Sequence, residues 1–195
     1  MEIRVLVCPF CAAPISQKAS LCEYCGHEYM VSSFSSLSKV SRSDLNKYTN
    51  AYSSALRDNP DDPSLNTSIG ICFLSLGLHD KAMLNFEKVI GADPENASAY
   101  CMAAMCLLKG RSAFLCEKKN VDKAIEYLNA ALMIEEIGKY HFFMAYLKYD
   151  YYKRKFLKTE PDYKYHLDAA YSTGVTDEEI FDLFNILKVK VPDVF

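Results

Sequence analysis

Four of the eight cysteines stand near the front of the chain, at Cys8, Cys11, Cys22 and Cys25, in the spacing C-x2-C-x10-C-x2-C. Two residues between paired cysteines let both thiolates reach one ion from a tight turn. Two such turns facing each other complete a tetrahedral sulfur site of the kind that holds zinc. The competing chemistry for an even number of cysteines is a disulfide framework, which belongs to oxidising compartments. The opening MEIRVLVCPF has a short apolar run without the length or small-residue cleavage site of a secretion signal. The chain is therefore expected to be cytoplasmic, and its front thiols to be metal ligands. Four sulfurs also close the coordination shell and leave no position for substrate, so the zinc expected here is structural.

The elements that must hold these turns are short. Ile3, Val5 and Val7 alternate as a strand does, and Glu28 to Val31 suit a second one. A module below about 40 residues usually needs a metal staple to fold. His27 reads as a surface histidine, because four cysteines already satisfy the ion. The run CPFCAAPISQKASLCEYCGHEY resembles the short bacterial zinc-ribbon family over residues 6–29, with Pro9 after the first ligand and Gly26 after the last. Ala12 departs from the glycine usual after the second ligand, and Leu21 from the aromatic usual before the third. Residues 1–31 hold only Arg4 and Lys18 against Glu2, Glu23 and Glu28. Phosphate binding needs a cluster of cations, so the ribbon suits protein contact or spacing.

Residues 32–43, SSFSSLSKVSRS, contain seven serines in twelve positions and read as a linker. Phe34, Leu37 and Val40 recur within it every three residues, and Ser43 before Asp44 suits a helix N-cap. The stretch from Pro63 to Asn96 is different in kind. Its 34 residues read as two amphipathic helices around a Gly-containing turn, carrying Ile69, Gly70 and Phe73, then Ala82, Phe86 and Val89, with Pro94 at the exit. That layout resembles a tetratricopeptide repeat, which implies stacked antiparallel helix pairs, since one unit cannot bury its apolar face alone.

The same 34-residue interval separates Tyr52 from Phe86, Pro60 from Pro94, and Cys72 from Cys106. Asp44–Asn59 is therefore expected to be a second repeat helix, and a further unit to begin near Ala97. Ala124, Leu128 and Ala131 then arrive about eight residues late, which places an insertion around Arg111 to Asn120. Lys139–Lys158 reads as another first helix, with Met144 or Ala145 as its small contact, and Asp162–Ser172 as its partner. Thr176 and Glu179 form a capping-box signature, followed by an apolar stripe of Ile180, Leu183, Phe184 and Leu187. This is a terminal cap over residues 176–190. The expected architecture is mainly α: a small β zinc ribbon at 1–31, the linker at 32–43, and a tetratricopeptide-like helical array (an α-solenoid) at 44–195.

Function follows from what is missing as well as what is present. No nucleotide-binding loop, nucleophile elbow, H-E-x-x-H or dinucleotide fingerprint occurs, and His27, His79, His141 and His166 show no shared spacing. No catalytic residues are assigned and no enzyme is expected. A net charge of −3 gives no reason to expect nucleic acid, and no run approaches the about 18 apolar residues of a membrane span. The expected role is a protein-interaction adaptor. By the resemblance, the partner-facing positions are Thr67, Ile71 and Leu74 in the regular repeat, with Cys101, Met105, Leu108 and Lys109 in the next. They would receive a peptide or amphipathic helix from a protein partner, from the chain's own C-terminus or from a second copy. The alternative is a nucleic-acid-associated protein using the ribbon and residues 139–164. Those residues carry seven Lys or Arg against three Asp or Glu, with six tyrosines interleaved.

Overall fold

A computed structural model describes residues 6–15, 21–27, 31 and 40–195. The alternation at Ile3 and Val5, all but Val31 of the strand expected at Glu28 to Val31, and most of the serine-rich linker lie outside these residues. The chain divides into two compact units, Met1–Asp93 and Pro94–Phe195.

In the first unit, β1 (Leu6–Val7) pairs antiparallel with β2 (Pro14–Ile15), in the register Leu6 to Ile15 and Val7 to Pro14. Three helices follow: α1 (Arg42–Asp58), α2 (Pro63–Ser75) and α3 (His79–Ala92). Helix α1 starts two residues earlier than expected. Ser41, not Ser43, is its N-cap, and its hydroxyl accepts from the Asp44 N–H at 3.2 Å. Asp62 caps α2 in the same way, accepting from the Leu65 N–H at 2.9 Å, and Pro63 occupies the first turn, where no N–H is needed. Helix α2 packs on both α1 and α3. The α2–α3 contact explains the small residue of the repeat. A Cβ at Gly70 would lie 2.7 Å from the Phe86 ring, and Phe86 is fully buried.

The second unit holds α4 (Ala97–Leu108), α5 (Lys118–Ile134), α6 (Gly138–Leu147), α7 (Tyr163–Ser172) and α8 (Asp177–Leu187). Helices α4 and α5 form one antiparallel pair, α6 and α7 another, and α8 lies against α6 and α4. The capping box at Thr176 and Glu179 is formed in both directions, and Leu183, Phe184 and Leu187 are buried beneath α8. Helix α6 is shorter than the sequence suggested. It passes into a π-helical turn at Lys148–Lys153, with the Arg154 N–H donating to the Tyr149 carbonyl. Met144 and Ala145 are both buried, but the tight approach to α7 is at Gly138. A Cβ there would come within 2.8 Å of the Ala170 carbonyl. Phe195, without an assigned role in the sequence, closes an aromatic cluster with Phe142, Tyr149 and Tyr163 at centroid distances of 5.4, 5.5 and 6.3 Å.

Candidate functional site

The four front cysteines converge. All four sulfurs lie within 4.8 Å of one another, with Cys8 and Cys25 3.6 Å apart and Cys11 and Cys22 also 3.6 Å apart. Metal–sulfur bonds of about 2.3 Å put the sulfurs of a tetrahedron about 3.8 Å apart, so these edges fit one ion. Two matching turns set the geometry. In the first, the Ala12 N–H donates to the Cys8 carbonyl at 3.0 Å and the Cys8 N–H to the Ala13 carbonyl at 2.9 Å. In the second, fourteen residues on, Gly26 donates to Cys22 at 2.8 Å and Cys22 to His27 at 2.9 Å. Both turns end in the left-handed region, Gly26 at φ 71° and Ala12 at φ 58°. Glycine adopts that conformation freely and alanine at a cost of about 1–2 kcal/mol, so Ala12 carries the strain of the departure noted in the sequence.

The thiols of the cluster perturb one another. Burial opposes ionisation of Cys22, yet the N–H groups of Cys25 and Tyr24 and the neighbouring sulfurs bring its thiol down to about 7. The His27 N–H favours the Cys25 thiolate, but burial and the three other cysteines outweigh it and push Cys25 up to about 12. Four thiolates at this spacing would repel one another, a conflict that a bound divalent ion would remove. His27 stands outside the sulfur cluster. It stacks flat on Phe10 at 4.2 Å, with Nδ1 3.2 Å from the Cys25 carbonyl. Phe10 in turn meets the Tyr48 edge at 5.1 Å, and Lys47 Nζ lies 5.2 Å from its ring, which seats the cysteine turns on α1. The Val31 N–H donates to the Tyr52 hydroxyl at 3.2 Å from a buried position.

The expected partner-facing residues fall in two sets. Thr67, Ile71 and Leu74 lie on α2 of the first unit; Cys101, Met105 and Leu108 lie on α4 of the second, with Lys109 as its left-handed C-cap. Thr67 is half-buried and Lys109 exposed, whereas the other five are buried, Leu74 to 1% exposure. Burial pushes the Cys101 thiol up to about 12, against Lys139 nearby, which makes it a packing group rather than a nucleophile.

The insertion and the tyrosine- and lysine-rich segment, separate in the sequence, form one structure. The insertion turns through a short 3-10 helix at Ala113–Leu115. Its Ala113 N–H donates to the Tyr146 hydroxyl at 3.2 Å and its Phe114 N–H to Asp150 Oδ2 at 2.8 Å. Buried Asp150 also pairs with Arg154, whose guanidinium lies 4.5 Å from the Phe114 ring. Lys155 Nζ is 3.8 Å from the Tyr151 ring centre, and buried Lys148 donates to the Pro161 carbonyl at 2.6 Å. The Tyr152 hydroxyl donates to Asp122 on α5. Much of the charge and aromatic surface proposed for nucleic acid is thus spent inside the unit.

The sequence missed one pairing. His141 on α6 and His166 on α7 are both buried, with Nδ1 atoms 3.1 Å apart. Burial first, then Lys148 and His141, hold the His166 ring down at about 4, while Asp162 pulls the other way. Pairing Gly138–Leu147 against Tyr163–Ser172 as an antiparallel hairpin would have set the two histidines opposite each other.

Comparison with known proteins bears on the array. The sequence model of the tetratricopeptide repeat family matches residues 63–96. Among solved structures, MamA MSR-1 C2 aligns at a TM-score of 0.54 and 20% identity, over 72% of this chain and 72% of its own. MamA AMB-1 P212121 aligns at 0.54 and 20% identity, over 76% and 74%. No curated protein matches the chain. Residues 63–96 match a tetratricopeptide repeat, and the mainly helical fold is that of tetratricopeptide-like arrays.

Proposed function

We propose that this chain is a protein-binding adaptor whose N-terminal module, residues 1–31, is stapled by a structural zinc ion on Cys8, Cys11, Cys22 and Cys25. The observation that carries the adaptor reading is the regular repeat at 63–96, with Phe86 wedged under Gly70, inside a mainly helical chain. Repeat arrays of this kind present helix faces on which a peptide or partner helix can lie. The partner-binding faces would be those of α2 at Thr67, Ile71 and Leu74, and of α4 at Cys101, Met105, Leu108 and Lys109. Thr67 and Lys109 are the members a partner reaches in the present arrangement. The buried members hold the helices in place, so a charge at Leu74 would test folding rather than binding.

The test is cross-linking and capture of partners with full-length protein carrying Thr67→Arg or Lys109→Glu, each checked for folding by circular dichroism. Loss of the same partners from both variants supports the reading. Two folded variants that keep every partner would sink it. The zinc assignment is tested by elemental analysis, which should find close to one zinc per chain, falling toward zero in Cys22→Ser. A sulfur cluster that purifies without metal and cannot be loaded refutes it.

A further inference from the structure

We propose that copies of this chain associate head to tail, the outer face of α8 of one copy seating on a patch around Phe156 of the next. Phe156 combines two unfavourable features. It is 96% exposed, and it sits at φ 58°, just past the π-helical turn, in a conformation that suits glycine. Its backbone is fixed there by two bonds: the Phe156 N–H donates to the Lys153 carbonyl at 3.1 Å and the Leu157 N–H to the Tyr152 carbonyl at 2.9 Å. The ring contributes nothing to the core of its own chain. A second surface that covers it would recover the apolar area.

The surroundings specify the chemistry of that surface. Residues Lys153 to Lys158 carry four cations and no acid; Asp150 takes up Arg154, which leaves Lys153, Lys155 and Lys158 to set the charge of the patch. Arg154 and Lys155 are held in place by stacking on Phe114 at 4.5 and 5.0 Å, and exposed Leu115 follows Phe114 in the chain. The complement is an acidic face with an exposed aromatic residue, and α8 provides one. Its inner stripe is buried on α6 and α4, whereas its outer side presents Asp177 and Glu178 in the first turn and Phe181 at 65% exposure. The two faces belong to different parts of one unit, so the contact is heterologous and joins copies in sequence rather than as a symmetric pair. It stands apart from the partner faces on α2 and α4, and substitutions at Thr67 or Lys109 leave it unchanged.

The test is sedimentation velocity of the full chain across a concentration series at low and raised salt. Wild-type protein should associate with rising concentration and less so as salt screens the charges. Phe156→Gly relieves the backbone and removes only an exposed ring, so it folds; it should weaken association about tenfold or more, as should Phe181→Ser. Mixing these two variants should restore dimers and nothing larger, because each retains one intact face. A wild-type chain that stays monomeric throughout overturns the proposal, as does association indifferent to Phe156→Gly. Phe156-dependent binding of monomers to phosphatidylserine vesicles would reassign the patch to a membrane surface and overturn it too.

Discussion

Acidification from pH 7 to pH 5 should destabilise the fold through His166. The ring is 5% exposed, its Nδ1 lies 3.1 Å from that of His141, and its pKa is held at about 4 against about 6.5 in an unfolded chain. The groups facing the pair are Lys148 from the π-helical turn, Asp162 at the start of α7, and Glu136, 3.6 Å from His141 Nε2. Between the two pKa values the unfolded chain binds a proton that the native chain does not. Stability is therefore fully present above about pH 6.5 and is lost as pH falls toward 4. Integrating over pH 7 to 5 gives about 2 kcal/mol, and solvent reaching the ring edge lowers this to between about 1 and 2 kcal/mol. Urea unfolding followed by circular dichroism at both pH values measures it directly. Proton competition for the cysteine cluster also acts in this range, so His166→Gln supplies the control: its unfolding free energy should change less than that of wild type by that margin. Equal pH dependence in the two proteins would refute the assignment.

Two further perturbations read the packing of each unit. Gly70→Ala drives a methyl to 2.7 Å from the Phe86 ring and should cost about 1–3 kcal/mol in urea unfolding; an unchanged midpoint would mean that α2 and α3 have room to separate. Asp150→Ala strands the Phe114 N–H and leaves Arg154 without its carboxylate, which should cost about 3 kcal/mol and expose the insertion to trypsin at Arg111 and Lys118, whereas wild type resists cleavage there.

What the sequence disclosed divides by the range of the interactions involved. The cysteine turns were legible because their spacing is local: two residues between sulfurs dictate the turn whatever surrounds it. The regular repeat was legible for a related reason, since Gly70 and Phe86 meet through a fixed 34-residue layout. Contacts made without a period left no such trace. His141 and His166 stand 25 residues apart, and only the pairing of α6 with α7 brings their rings together. The N-cap moved from Ser43 to Ser41 because either serine satisfies the local pattern and the ends of helices are set by small energy differences. Phe195 found its aromatic neighbours from a terminus with no periodicity to reveal them.

The irregular half of the array changes meaning once its two oddities are joined. A loop of inserted residues must satisfy its own backbone N–H groups or keep them in water. Here Ala113 and Phe114 spend theirs on Tyr146 and Asp150, which lie in α6 and the π-helical turn. The extra tyrosines and the acid of residues 139–164 are therefore what the insertion requires, and Arg154 is what the buried acid requires. Of the cations and rings that suggested a nucleic-acid surface, Arg154, Lys148, Tyr146 and Tyr152 are engaged within the unit. What remains without an internal account is the end of that segment, where Phe156 faces solvent in a left-handed conformation beside uncompensated lysines. Within that segment, the self-association proposed at Phe156 gives its exposure a role that internal packing does not.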